Sequence, residues 1–180
     1  MSLVRINNFT GDLQKADAWF NCSGHFASVG PNPADRIEAA LAEDAEICAL
    51  LDSMAQDYAD TVLGGVRAEI NGSTFANVYI KGQFCPEHAD QYDRQGHPHT
   101  MHRTVSMSFC LEEPEEGGLM EFQDPGRRTP KMYHPLQRGQ IALFPGDWLH
   151  AVQHVHKGAR RTLIRWYADP RLDKFNSPQP

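Results

Sequence analysis

Two periodicities divide the chain. Between residues 32 and 65 apolar positions return every three to four residues, with Ile37, Ala40, Leu41, Ala45, Cys48, Leu51, Ala55 and Tyr58 on one face. That stripe predicts a long amphipathic helix needing something to pack on. Asn32 followed by Pro33 supplies its start signal and Gly64-Gly65 its stop, and a shorter helical piece is expected near Asp12 to Trp19. From Arg67 onward the repeat shortens to two, in brief runs broken by Gly, Pro, Asn and Asp. Seven or eight strands are expected, near 67–71, 74–81, 103–111, 118–123, 131–133, 140–144, 150–156 and 160–168. Strands in this order, supported by an N-terminal helical segment, predict a mostly β (α+β) domain built as a jelly roll. The expected organisation is a single domain over 1–180, with helical support about 10–65 and a sheet core about 67–169.

Composition narrows the partners without choosing one. The chain has 180 residues, 41% of them hydrophobic, enough to bury a core. A formal charge of -6 argues against nucleic-acid or anionic-membrane surfaces, which call for basic patches, and leaves a small molecule, peptide or protein as substrate. No apolar run reaches a membrane span, and the N-terminus lacks a basic-then-apolar signal pattern. Cys22, Cys48, Cys85 and Cys110 are scattered and read as reduced thiols of a cytoplasmic protein. The oligomeric state is not legible.

Chemistry concentrates in the second part. In His88-Ala89-Asp90 an imidazole and a carboxylate lie two residues apart, on one face if the segment is extended. With nine histidines in the chain such a pair arises readily by chance, and a solvated turn is the plainer reading of the pair alone. It gains weight from Gly139 to His150, where a strand, a Pro-Gly turn and a histidine entering the next strand follow one another. Two histidines and a carboxylate bind iron(II) on one triangular face and leave adjacent positions open. Arg160 adds an independent clue: it shares its strand face with Thr162, Ile164 and Trp166, while Arg161 and Arg165 point the other way. An interior guanidinium is costly without an anion, and its planar fork suits a carboxylate. A partly exposed arginine is the competing reading.

Taken together, Tyr79, His88-x-Asp90, Arg103-x-x-Ser106, Gly117-Gly118 with Phe122, Pro135, Gly139 and Phe144, His150-Ala-Val152, Val155, Gly158, Arg160 and Trp166 resemble the iron(II)/2-oxoglutarate-dependent dioxygenases, in their prolyl-4-hydroxylase-like branch. His150 lies 62 residues after His88, and Arg160 ten after His150, both within that family's pattern. The resemblance implies a double-stranded β-helix, Fe(II) ligation by His88, Asp90 and His150, and an Arg160 salt bridge to the far carboxylate of 2-oxoglutarate. It also implies hydroxylation of a C–H bond of a peptidyl residue, amino acid or small metabolite, consuming O2 and releasing succinate and CO2. The sequence departs from the family at Cys110, where a tyrosine often helps to hold the cosubstrate. Tyr79, Ser106 or Ser108 are candidates to replace it.

Two other readings stay open: a cupin-type metal enzyme without 2-oxoglutarate, although the first cupin motif is missing, and a non-catalytic jelly-roll binding module. His97, His99 and His102 suggest substrate contact or plain surface, and Gln91 to His102 is expected to form a loop over the site mouth. His154 and His156 are expected near the site or in solvent, and Trp148 and Trp166 in the core.

Overall fold

The computed structural model describes residues 3–22, 26–28, 37–91 and 103–173. In chain order the elements are β1 (Arg5–Asn8), α1 (Leu13–Asn21), β2 (Ala27–Ser28), β3 (Ile37–Leu41), α2 (Ala45–Val62), β4 (Glu69–Ile70), β5 (Thr74–Ile80) and β6 (Cys85–His88). They continue with β7 (Arg103–Glu112), β8 (Glu116–Gly117), β9 (Met120–Gln123), β10 (Met132–His134), β11 (Gln140–Pro145), β12 (Leu149–Val152), β13 (Val155–Lys157), β14 (Ala159–Ala168) and α3 (Pro170–Asp173). The major sheet runs β1-β11-β7-β14-β5-β3-β2 with β4 also on β14; the minor sheet runs β10-β9-β12-β6; β8 and β13 form a separate pair. The strand pairs are antiparallel, as a jelly roll requires.

Alternation on the central strands builds two cores from one sheet. Val105, Met107, Phe109 and Leu111 of β7 join Ile141 and Leu143 of β11 and Leu163 and Tyr167 of β14 under the helices. Cys110, Ala142 and Phe144, one residue out of phase, face the minor sheet's Met120, Phe122 and Val152. A strand covered on both faces reads as a nearly continuous apolar run, as Ile141 to Phe144 does. The face of α2 that meets the sheet carries Ile47, Leu51, Ala55, Tyr58 and Ala59, each buried. Burying Ile47 or Leu51 contributes about 1.5–3 kcal/mol. Among the described residues no helix is long and apolar enough to cross a membrane.

Asp12 caps α1, accepting from the N–H groups of Gln14 and Lys15, close to the expected start. The long helix differs from expectation. It begins at Ala45, capped by Asp44 through the N–H groups of Glu46 and Ile47, and Ile37–Leu41 pairs with β5 instead. Ala39 is buried and Ala40 exposed, the reverse of the helical stripe. The open edge of β5 offers backbone partners that Ile37, Ala39 and Leu41 fit at period two. Asn32 and Pro33 lie outside the described residues. One expected strand is split, 150–156 breaking at Gln153-His154, while 118–123 shortens to Met120–Gln123 and 67–71 to two residues. Among the described residues none of the four cysteines forms a disulfide.

Candidate metal centre and adjoining cavity

The edge strand β6 positions the first candidate ligand. It pairs with β12 so that His88 stands directly opposite His150, with ring centroids 4.2 Å apart. Pro86 is tolerated because β6 needs hydrogen bonds on one side only. Asp90 follows two residues later and turns its carboxylate between the rings, Oδ1 lying 3.5 Å from His88 Nε2 and Oδ2 3.4 Å from His150 Nε2. The three donor atoms fall within 4.8 Å of one another. Ligand atoms bound at about 2.1 Å on one face of an octahedron stand roughly 3 Å apart, so small side-chain shifts suffice to bind an ion.

Backbone carbonyls orient both imidazoles. His88 Nδ1 lies 2.9 Å from the Pro86 carbonyl, and His150 Nδ1 lies 3.1 Å from the Trp148 carbonyl. A carbonyl only accepts, so each Nδ1 carries the hydrogen and each Nε2 is left to Asp90 or a metal. Burial pushes the His88 pKa down, yet Asp90 beside it holds it up to about 10. Asp90 is fully enclosed, which would raise its pKa, but His150 and His88 hold it well below the carboxylate range, with Ser106 adding to the effect. The proton shared on the Asp90 side is the one a cation displaces. Phe144 packs against the His150 ring at 4.7 Å and against Phe122 at 5.1 Å, fixing the imidazole by contact.

An open cavity adjoins the three candidate ligands, lined among others by Asn77, Tyr79, Ser108, Phe144, Thr162, Ile164 and Trp166. Arg160 stands beyond Thr162 on the same face of β14, opposite Tyr79, and is 1% exposed. Its Nη1 donates to the Gly118 carbonyl at 3.4 Å, while Nε and Nη2 have no partner among the described residues. Burial lowers its pKa, and the groups acting against this are Cys110 and Tyr79. The Cys110 thiol is itself pushed up to about 11 by burial, despite Arg160, so it stays neutral. No carboxylate of the described residues pairs with this guanidinium. The Thr162 hydroxyl, also buried, lacks a partner too. Two unsatisfied nitrogens and a hydroxyl on one strand face suit an anionic group with several acceptor oxygens.

The residues singled out in the sequence thus separate into two groups. His88, Asp90 and His150 converge, with Ser106 beside Asp90; Tyr79 and Cys110 flank Arg160. Arg161 and Arg165 do face away from the cavity, but Arg165 is as buried as Arg160, held under α2 by Asp52, Tyr167, Thr74 and Cys48. His154 and His156 are exposed, and His154 stacks on Phe84. The loop from residue 92, with His97, His99 and His102, lies outside the described residues. Sequence reasoning missed Asn77, whose available signal was a polar residue at the same parity as Tyr79, and placed Thr162 on the face of Arg160 without giving it a role.

Residues 74–168 match the family described as the 2OG-Fe(II) oxygenase superfamily. This chain belongs to that superfamily. The match runs from the first residue of β5 to the last of β14 and so contains His88, Asp90, His150 and Arg160. A PKHD-type hydroxylase of Pseudomonas fluorescens is 35% identical over 95 residues, which cover 50% of this chain and 40% of the relative. The aligned region therefore spans less than half the length of that relative. A prolyl hydroxylase from Trichoplax adhaerens, solved with a peptide fragment of a hypoxia inducible factor, has a TM-score of 0.66 at 20% identity, covering 98% of this chain and 87% of that one. A prolyl-4-hydroxylase of Pseudomonas putida has a TM-score of 0.67 at 14% identity, covering 92% and 91%. At such identities the structural likeness concerns the superfamily fold. The cupin and binding-module readings gain no better support from these comparisons.

Proposed function

We propose that the chain is an iron(II)- and 2-oxoglutarate-dependent hydroxylase acting on a C–H bond of a peptidyl residue, amino acid or small metabolite. The observation that carries this reading is the His88-Asp90-His150 cluster on a cavity that Tyr79 and Thr162 also line, with Arg160 buried on the same face of β14 as Thr162 and two of its nitrogens unpartnered among the described residues. In this reading His88, Asp90 and His150 hold the metal through one face, and Arg160 with Thr162 receives the far carboxylate of the cosubstrate. Tyr79 borders that end of the cavity, and Ser106 favours the ionised form of Asp90. When bound, iron(II), 2-oxoglutarate and O2 supply the hydroxylating oxidant, with succinate and CO2 released. Phe122, Phe144, Met120 and Val152 keep the wall beside the ligands apolar, which excludes water and strengthens every charge interaction inside.

Anaerobic iron(II) titration, together with succinate release from 2-oxoglutarate, tests the reading. The parent protein should bind one iron and turn over 2-oxoglutarate slowly without substrate; His150→Ala, with an incomplete ligand face, should do neither. Iron binding without 2-oxoglutarate binding would return the cupin reading, and equal iron binding by His150→Ala would remove it as the third ligand.

A further inference from the structure

Arg103, the first residue of β7, grips two parts of the site at once. Its Nη1 donates to the main-chain carbonyl of Asp90 at 3.2 Å. Its guanidinium lies over the indole of Trp166, 4.2 Å from the ring centroid, and Trp166 walls the cavity while resting on Phe75. Asp90 needs such a hold. It comes after β6 has ended, so no sheet ladder fixes its peptide. The neighbouring backbone is also tied to the start of β7: Gln91 N–H donates to the Gly146 carbonyl at 3.0 Å, and Gly146 N–H to the Thr104 carbonyl at 3.1 Å.

We infer that Arg103 is a positioning residue of the metal centre, fixing the direction of the Asp90 carboxylate and the seat of Trp166 through its hydrogen bond and its stacked face. The inference rests on the proposed function for its consequence and on the contacts alone for its geometry. Arginine suits the task because its plane stacks on an aromatic ring while its edge still donates, which an ammonium does not combine. Burial lowers the Arg103 pKa, and the Asp90 carboxylate acts against that shift. Groups that orient a ligand from behind commonly change metal affinity by about 10- to 100-fold when removed.

The full chain carrying Arg103→Gln or Arg103→Lys separates this role from a merely structural one. Without metal, hydrogen exchange at Gln91 should speed up in Arg103→Gln and less so in Arg103→Lys, which still reaches the carbonyl. In anaerobic titration, iron(II) affinity should fall about tenfold or more in Arg103→Gln, with partial rescue by lysine. The cobalt(II) absorption spectrum should change in Arg103→Gln, while 2-oxoglutarate affinity at saturating metal should change little. Unchanged exchange and unchanged iron affinity in Arg103→Gln would overturn the inference. So would faster exchange spread evenly over β7 and β14, which marks general loosening. Failure of the parent protein to bind iron would instead sink the proposed function, and the exchange at Gln91 would still decide whether Arg103 holds Asp90.

Discussion

Arg160, Arg161 and Arg165 share one strand, and their surroundings give them three different tasks. Arg161 is partly exposed, bonded to Asn21 and stacked over Phe20. Arg165 is buried but fully engaged by Asp52, Tyr167, Thr74 and Cys48. Arg160 is buried with two nitrogens unengaged among the described residues. Parity in the sequence separates Arg160 from the other two, but it does not reveal that Arg165 is buried, because Asp52, Cys48 and Thr74 reach it from α2 and β5. Arg160→Ala should therefore raise the 2-oxoglutarate dissociation constant roughly tenfold or more, since a buried charge-assisted pair contributes about 1.5 kcal/mol or more. Thr162→Val keeps the shape, removes the unpartnered hydroxyl, and should cost about fivefold. Arg161→Ala should leave that affinity nearly unchanged. Calorimetric titration at saturating metal checks all three, and equal losses for Arg160→Ala and Arg161→Ala would remove Arg160 as the anchor.

Among the elements, the turn between β11 and β12 joins the most parts of the site. A Cβ added at Gly146 would stand 2.2 Å from the Arg103 carbonyl oxygen, closer than any backbone tolerates. Gly146→Ala must displace β7 from β11, and overpacking of this kind costs about 1–3 kcal/mol. Iron(II) affinity should fall with it, because the Gln91 N–H loses its carbonyl partner just after Asp90. Urea unfolding and metal titration measure the two effects; a variant as stable as the parent protein would show that the turn yields easily. The Pro-Gly signal for this turn was legible in the sequence, as were the central strands, whose alternation is strong. Strand β6 was not, being four residues long, with a proline and no alternating pattern, although its HxD geometry assumed an extended backbone. The start of α2 was misplaced because Ile37 to Leu41 satisfies both periods, and only the edge of β5 selects the strand.

For the molecule as a whole, Asp169 closes the fold at the end of β14. Its carboxylate accepts from the Arg67 N–H, 102 residues away in sequence, and from the backbone and side chain of Arg171. Arg171 and these backbone donors hold its pKa well below the usual carboxylate value. A carboxyl group whose pKa is depressed on folding contributes stability above its unfolded pKa, near ~3.9, and loses that contribution as pH falls toward the folded value. Asp169→Asn should thus be less stable than the parent protein at pH 7, with the gap narrowing below about pH 4. Chemical denaturation at pH 7 and pH 3 tests this; a gap independent of pH would mean that charge is not what Asp169 contributes. Several properties of this protein follow from its sequence alone: two periods of burial, a candidate ligand set of two imidazoles and a carboxylate, and an arginine on an interior strand face. These are local, because side-chain direction repeats with backbone period and ligand chemistry resides in residue type. What only the tertiary structure decided is which strands meet. The pairing of β6 with β12 brings His88 opposite His150 across 62 residues, β7 brings Arg103 to Asp90 and neutral Cys110 beside Arg160, and the Thr162 hydroxyl is left without a partner among the described residues. Those juxtapositions depend on sheet register between distant segments, which no local period encodes.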